Sequence, residues 1–461
     1  VFGLCSLAIY VGLAAFFWTA WTYKASRADE VIVIAAMLGL GLLYFFGLRV
    51  APAARTSVIV IFACCAGLVG FATPPFDSTD VFFYMASGWN QSHYGANPYS
   101  VSLREVAANQ RDPMMQNEWI KRNRNPWLDI PMPYGFLFAL VSRGVAWLGR
   151  GHFWATLALF NVMNLGFHAG TALLLWKAGK LLPEGSGKIM LYLYAWNPFI
   201  VLQYLVDLHN DIIVAFLVLL AAYCILKDRP VWSLPLLVAA GLVKYITFVL
   251  TPFALLYLVR HKGWKEGLKG ILWSVALAGV TAAPYLRDAA SFKYRLIWDQ
   301  VSESSGSLHT FLVYSLRSVG RAWPLMPKIA PAFALVLQIV LWSAFVAFAG
   351  RELWLTWRDR SEPPLNMLQR WTAILFGLIF VASSQFYAWY LGMLFPLALL
   401  THRKTILAET VVALSGAHML SFTFLRRKAI GYFLVATVLP IFYLVLTRRH
   451  RFPNTSAGAH L

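Results

Sequence analysis

Acidic residues are scarce in this chain. Only 20 Asp and Glu stand among 461 residues against 39 Lys and Arg, and charged residues of both signs make up 13% of the whole. A soluble domain carries roughly 25% charged residues. That shortage excludes a disordered chain, a charge-laced coiled coil and, despite a formal charge of +19, a nucleic-acid-binding domain. Cysteine is scarce too. Cys5, Cys64, Cys65 and Cys224 each lie in an apolar block without metal-ligand or disulfide spacing, and read as small buried hydrophobes. There is no Walker or Rossmann glycine pattern, no HExxH, no fixed-period repeat, and no inverted pair of broken helices of the sort that marks many transporters. No basic n-region with a cleavage site opens the sequence, so no removable signal peptide is expected.

What is plentiful is apolar and aromatic: 59% hydrophobic residues, 16% aromatic, 19 Trp. A bilayer-crossing helix needs about 20 mostly apolar residues. Blocks approaching that length run over 3–23, 31–49, 57–73, 134–149, 153–176, 189–206, 210–226, 231–259, 269–285, 329–350, 371–385, 388–400, 404–424 and 430–447. The expectation is an all-α polytopic membrane protein, a single membrane domain over 1–461, with about 12–14 transmembrane helices.

Between the third and fourth blocks lies a segment of another kind, 74–133, rich in proline and mixed charge, with amphipathic stretches such as Val101–Gln110. A loop that long inside a compact protein is usually functional. Orientation follows Lys and Arg in short loops. Segments 260–269, 351–370 and 448–451 are strongly basic. Placing them in the cytoplasm puts 74–133 and a second loop, 286–328, together on the outer face. Two stretches fit this count poorly: Arg426–Lys428 falls outside, and Lys177–Lys188 suggests that one middle span is re-entrant.

Four constellations could carry chemistry. Asp77 and Asp80 stand where the third span emerges. If the stretch is helical they share a face, with Tyr84 one turn beyond Asp80. One carboxylate could then act as a base while the other orients a hydroxyl, or the two could hold a divalent cation. The alternative for Asp77 or Ser78 is a cap on a helix over Val81–Asn90. Asn97-Pro-Tyr99 and Pro131-Met-Pro-Tyr134-Gly135 each set a Tyr beside proline at a span entrance, suited either to a sugar or to interfacial anchoring. Trp196-Asn-Pro198 followed by Asp207-Leu-His209-Asn-Asp211 places two acids and a histidine between apolar helices. That arrangement suits ion binding, a proton relay or helix capping. Lastly, Lys244 inside an apolar run and Arg287, Lys293, Arg295 and His309 in the second loop are cations suited to a phosphate. Snorkelling and ordinary solvation are their alternatives.

Taken together, Asp80-Val-Phe-Phe-Tyr84 with Gly88, Gly95-Ala-Asn97-Pro-Tyr99, Pro133-Tyr134-Gly135, Trp196-Asn-Pro198 with His209-Asn-Asp211, and Lys244-Tyr245 resemble the GT-C superfamily of integral membrane glycosyltransferases. The likeness is nearest to bacterial polyprenol-phosphate-mannose-dependent mannosyltransferases. It covers residues 70–250, while the C-terminal half matches only as a run of spans. Phe136 stands where the family's Tyr-Gly-Pro has its proline, and three spans precede the acidic loop instead of one.

The resemblance implies a hexosyltransferase in a bacterial plasma membrane with its active site on the outer face. Asp80 would be the catalytic acid residue, with Asp77 as runner-up. Tyr84, Asn97, Tyr99, Tyr134, His209 and Asp211 would contact substrate. Lys244, Lys293, Arg295 and His309 would hold phosphate. The partners implied are a polyprenyl-phosphate sugar donor, a lipid or glycan acceptor and membrane lipids, and the reaction an inverting direct displacement. No cofactor is required, although Asp77 and Asp80 leave a divalent cation open. The rival reading is a lipid-linked sugar flippase or ion-coupled transporter, with Asp207, His209, Asp211 and Lys244 as a relay. A ligase using a polyprenyl diphosphate donor would share the architecture.

Overall fold

The computed structural model describes residues 1–20, 27–107, 112–117, 119–120, 126–182, 185–293, 307–320, 325–359, 363–401 and 406–419. Among them the architecture is all-α, without a β-sheet strand. Five helices are long and apolar enough to cross a bilayer: Phe2–Thr19, Val31–Val50, Phe153–Gly179, Ile329–Arg358 and Pro364–Ala382. A sixth path, Gly187–Ala195 with Pro198–Val206, is bent by 52°. The expected block 430–447 lies outside the described residues.

In chain order, α1 (Phe2–Ala20), α2 (Arg27–Val50) and α3 (Thr56–Ala72) lead to α4 (Asp80–His93) and the short α5 (Leu103–Ala107) of the long loop. There follow α6 (Phe136–Gly149), α7 (Phe153–Gly179), α8 (Gly187–Ala195) and α9 (Pro198–Val201), the last continuing as a π-helical turn over Leu202–Val206. Next come α10 (Asp211–Leu226), α11 (Ser233–Val243), α12 (Thr251–Lys262), α13 (Trp264–Ala282) and α14 (Leu308–Val319). The chain continues with α15 (Met326–Arg358), α16 (Pro364–Phe376) with a second π turn over Gly377–Ala382, α17 (Tyr390–Thr401) and α18 (Ile406–Met419).

Two breaks follow from local chemistry. The expected span 189–206 bends because Pro198 cannot continue a helix and starts a new one, with Asn197 Oδ1 accepting the Phe199 N–H at 3.0 Å as its cap. The expected span 231–259 is not one helix. It stops at Val243, Lys244 is extended (φ −145°, ψ 115°), and the chain resumes as a 3₁₀ turn over Tyr245–Leu250. Gly241, a weak helix former, stands in the last turn before this second break. The Val243 carbonyl accepts the Gly135 N–H at 3.1 Å, a tertiary bond.

The central helix α10 is apolar all round and buried on most of its length, as expected of a helix packed between others. It packs on α7, α11 and α17. Between membrane helices, close approach of small residues supplies packing where hydrophobic burial offers little. The same device joins α4 to α6: a Cβ at Gly88 would lie 2.1 Å from the Ser142 carbonyl oxygen. Cys5 and Cys64 are exposed on the outside of the bundle, not buried as the sequence suggested, because their helices α1 and α3 show much of their apolar surface outward.

The long loop is ordered by its own polar residues. Asp112 accepts Trp89 Nε1–H at 2.7 Å and Tyr94 O–H at 2.6 Å, together with the N–H groups of Met114 and Met115. Those four hydrogen bonds outweigh burial, which opposes the charge, and hold its carboxyl below the usual range. Arg104 pairs with Asp129. The second loop meets the first on the same face of the bundle. Lys293 Nζ lies 2.5 and 2.7 Å from the two Glu105 oxygens, and its N–H donates to the Tyr99 carbonyl at 3.0 Å. The Lys293 hydrogen bond, with that of the Ser102 N–H, pulls the Glu105 carboxyl down to about 2.

Candidate active site

Residues of all five motif segments are joined by contacts. Asp80 is the first residue of α4, with its N–H donated to Ser78 Oγ at 3.2 Å. Because the helix starts there, Asp77 lies before it, and the shared helix face expected for the two carboxylates does not form. The Asp77 N–H instead donates to Asp207 Oδ1 at 3.0 Å, flanked by the N–H groups of Phe76 at 2.9 Å and Ser78 at 3.4 Å on the same oxygen.

The π turn after α9 delivers the hairpin 207–211, whose odd-numbered residues divide the polar work. Asp207 faces the strap before α4. His209 Nδ1 lies 3.5 Å from Asp80 Oδ2. Asp211, first residue of α10, accepts from Lys244 Nζ at 2.7 Å. Leu208 between them is buried and left-handed, φ 59°. That conformation costs a non-glycine residue about 1–2 kcal/mol. It is the kind of strain that persists where surrounding contacts over-determine it.

Lys244 reaches Asp211 because its helix has ended. An ammonium in the middle of an apolar helix would have had to snorkel, whereas the extended backbone turns it inward. There it also sits 3.9 Å above the Tyr390 ring, a cation–π contact. His209 is stacked on Trp389 at 4.1 Å between centroids, and Trp389 in turn on Tyr387 at 4.7 Å. The site is thus the ion pair of Lys244 with Asp211 and, beside it, Asp80 against His209, backed by an aromatic wall from residues 387–390.

Exposure sorts the four groups. The side chains of His209 and Asp211 are 0% and 1% exposed, while Asp80 and Lys244 keep 13% and 14%. One anion and one cation are therefore the partly exposed members, each set against a buried partner. Burial resists ionisation of Asp80, but the His209 imidazole 3.5 Å away, the charge of Lys244 and the Ser78 hydroxyl outweigh it, so its carboxyl lies below the ordinary range.

The tyrosines form the floor of the site. Tyr84 O–H is 3.3 Å from Tyr134 O–H, and the Tyr134 carbonyl accepts from Tyr99 O–H at 2.9 Å and Tyr245 O–H at 3.2 Å. Asn97 caps its own turn through the Tyr99 N–H and donates to the Tyr285 carbonyl at 3.0 Å. The rings of Tyr84 and Tyr99 are buried among other aromatics. Within this arrangement they shape the floor and offer no open face to a sugar.

The second loop contributes less than the sequence suggested. Lys293 is engaged by Glu105. His309 is buried, with Nε2 2.9 Å from the Ala334 carbonyl on α15. Arg295 lies outside the described residues. Among the described residues no three His, Cys, Asp or Glu side chains gather into a metal-binding group. Asp207, Trp389 and Tyr390 are the contributors that were not assigned to the site from sequence. Gln385-Phe-Tyr-Ala-Trp-Tyr390, a dense polar-aromatic cluster at a span boundary, was the available signal for the last two.

Comparison with known proteins gives two matches. Residues 4–260 match the family described as alpha-(1→6)-mannopyranosyltransferase, N-terminal domain. The chain is also similar to Alpha-(1→6)-mannopyranosyltransferase A of Mycobacterium tuberculosis, 22% identical over 382 residues, which is 80% of this chain and 69% of that protein. The family match contains Asp80, the hairpin 207–211 and Lys244, and ends before the aromatic wall.

Proposed function

The chain belongs to the alpha-(1→6)-mannopyranosyltransferase family, and on that premise we propose that this integral membrane mannosyltransferase moves mannose from a polyprenyl-phosphate donor to an acceptor hydroxyl of an α-mannoside by a single inverting displacement. The reading is of GT-C type, with the site on the outer face of a bacterial plasma membrane, where the strap and helix that carry Asp80 meet the hairpin 207–211. One observation carries it: the Asp80 carboxylate and the Lys244 ammonium, each set against a buried partner, are the partly exposed members of one cluster.

In the proposed step Asp80 takes the proton of the acceptor hydroxyl as that oxygen bonds to the anomeric carbon. The bond from that carbon to the phosphate oxygen breaks, and the polyprenyl phosphate leaves with its added charge beside Lys244. A fixed cation at the developing anion is the electrostatic stabilisation that group transfer needs, and a carboxylate in hydrogen-bond reach of the attacking hydroxyl supplies the base. His209 holds Asp80 ionised and oriented. Because one displacement inverts the centre, an α-linked product requires a donor whose sugar is β-linked to phosphate. An apolar groove of about 340 Å³ between α15 and α16, bordered by Phe345, Phe348, Phe376 and Gly377, offers a lipid tail a path. The π turn beside it leads into residues 383–390.

The decisive experiment is transfer of labelled mannose from a short-chain polyprenyl-phosphate mannose to a synthetic α(1→6)-dimannoside by the Asp80→Asn variant. Transfer should fall by at least about a hundredfold, the lower end of what one general base supplies, with thermal stability and detergent-solubilised size unchanged. A rate near wild type would remove Asp80 as the base.

A further inference from the structure

Asp207 belongs to neither pairing, yet it is fully buried. One of its oxygens accepts three successive backbone N–H groups, those of Phe76, Asp77 and Ser78, at 2.9, 3.0 and 3.4 Å. These residues are the strap between α3 and α4, and Asp80 follows two positions later. The start of α4 takes no side-chain cap from Thr79, so the place and direction in which the helix begins depend on how the strap is held. Asp207 holds it from the polar side, and Phe76, stacked on Phe17 at 3.9 Å, from the apolar side.

Two unfavourable features meet at this point of the hairpin. A carboxylate out of water is destabilising unless donors surround it, and Leu208 beside it is left-handed at φ 59°. The left-handed turn lets Asp207 address the strap while His209, two residues on, addresses the Asp80 side chain. One rigid hairpin thereby grips Asp80 twice, through the backbone that precedes it and through its carboxylate.

We propose that Asp207 is a positioning residue that fixes the strap 76–78 and so sets Asp80 against His209. The inference rests on the reading of Asp80 as the base. Asp207 touches no reacting atom. Its effect belongs on the rate of the step and not on substrate affinity, since a displacement of about 1 Å in a reacting group is enough for about a hundredfold loss.

The test uses the full chain in detergent with Asp207→Ala and Asp207→Asn, hydrogen exchange of peptides covering 74–80, and kinetics with short-chain polyprenyl-phosphate mannose and the α(1→6)-dimannoside. In the Ala variant the strap amides should exchange at least about tenfold faster, while peptides within α10 keep their protection. Its kcat should fall about a hundredfold, with both KM values within about threefold of wild type. Asn keeps one acceptor oxygen for the strap, but its amide sets two N–H donors where Asp207 Oδ2 lies buried without a partner among the described residues. It should fall between, about tenfold down in kcat with intermediate exchange.

The proposal is overturned if strap exchange is unchanged in a folded Ala variant, if that variant keeps kcat within about threefold, or if Asn is as defective as Ala. Should Ala not fold, Asn carries the test, and wild-type values of both exchange and kcat would overturn the idea. Exchange is read without substrate. An active Asp80→Asn variant would therefore refute the base while leaving the strap result standing.

Discussion

Replacing Lys244 with Met, alone and together with Asp211→Leu, separates structure from catalysis at the cationic half of the site. Lys244 Nζ is 2.7 Å from Asp211 Oδ1, and the Asp211 side chain is 1% exposed. Removing the cation leaves a carboxylate in the bundle without its counter-ion, and breaking one partner of such a pair destabilises by about 3–5 kcal/mol. The double variant removes the stranded charge as well. Apolar replacements of similar volume for buried pairs are often neutral or stabilising, so most of the lost stability should return. Activity should not. Without Lys244 the departing phosphate lacks its fixed partner, and loss of one such group lowers kcat about 100- to 1,000-fold. Thermal unfolding in detergent gives the first quantity and initial rates with short-chain polyprenyl-phosphate mannose give the second. A double variant that regains both stability and the wild-type rate would show that Lys244 serves only as counter-ion to Asp211, and the proposed handling of the leaving group would fall.

Three further outcomes follow from the same geometry. Asp80 is held below the ordinary carboxylate range, so it stays ionised as pH falls to about 4. The acid limb of kcat/KM should lie below that point and move to higher pH in His209→Leu, where the neighbouring imidazole is gone; an unmoved limb would detach His209 from Asp80. Gly88→Ala puts a methyl group 2.1 Å from the Ser142 carbonyl oxygen. It should destabilise by about 1–3 kcal/mol and depress transfer, whereas an unchanged melting temperature would mean that α4 and α6 part easily. Trp389→Ala removes the surface on which His209 rests and should lower kcat about tenfold or more, while Trp389→Phe keeps a ring there and should stay within about threefold. Equal rates in the two variants would count against a supporting role for the wall.

Much of this architecture was legible because apolar length and proline act locally. The blocks that became α1, α2 and α7 needed only composition, and the bend at Pro198 was written in Asn197-Pro198. Asp80 could be singled out because a carboxylate at a span exit is rare in so acid-poor a chain. What escaped was set by tertiary contacts. Gly241 weakens the helix before Val243-Lys244-Tyr245 by propensity, but one glycine does not place a break; its position is fixed by Gly135, some hundred residues earlier in the chain, and by Asp211. The conditional helix through Asp77 failed because three strap N–H groups turn toward Asp207 in place of a preceding helical turn. Lys293 looked like a phosphate ligand, since a sequence does not show that Glu105 will reach it first. The tyrosines of the proline turns were correctly brought together by their motifs, but whether a ring is a wall or a floor depends on its neighbours.

The helices that bring charge to the site are short. The helix headed by Asp211 has 16 residues and the one ending before Lys244 has 11, which at 1.5 Å per residue makes about 24 and 16 Å. The hydrocarbon layer is about 30 Å thick. Both helices are packed among others, so it is protein and not lipid that surrounds their ends, and the ammonium sits within that protein shell at a depth set by the longer outer helices. A substrate anchored by its own chain would then arrive at depth without its phosphate having to enter oil.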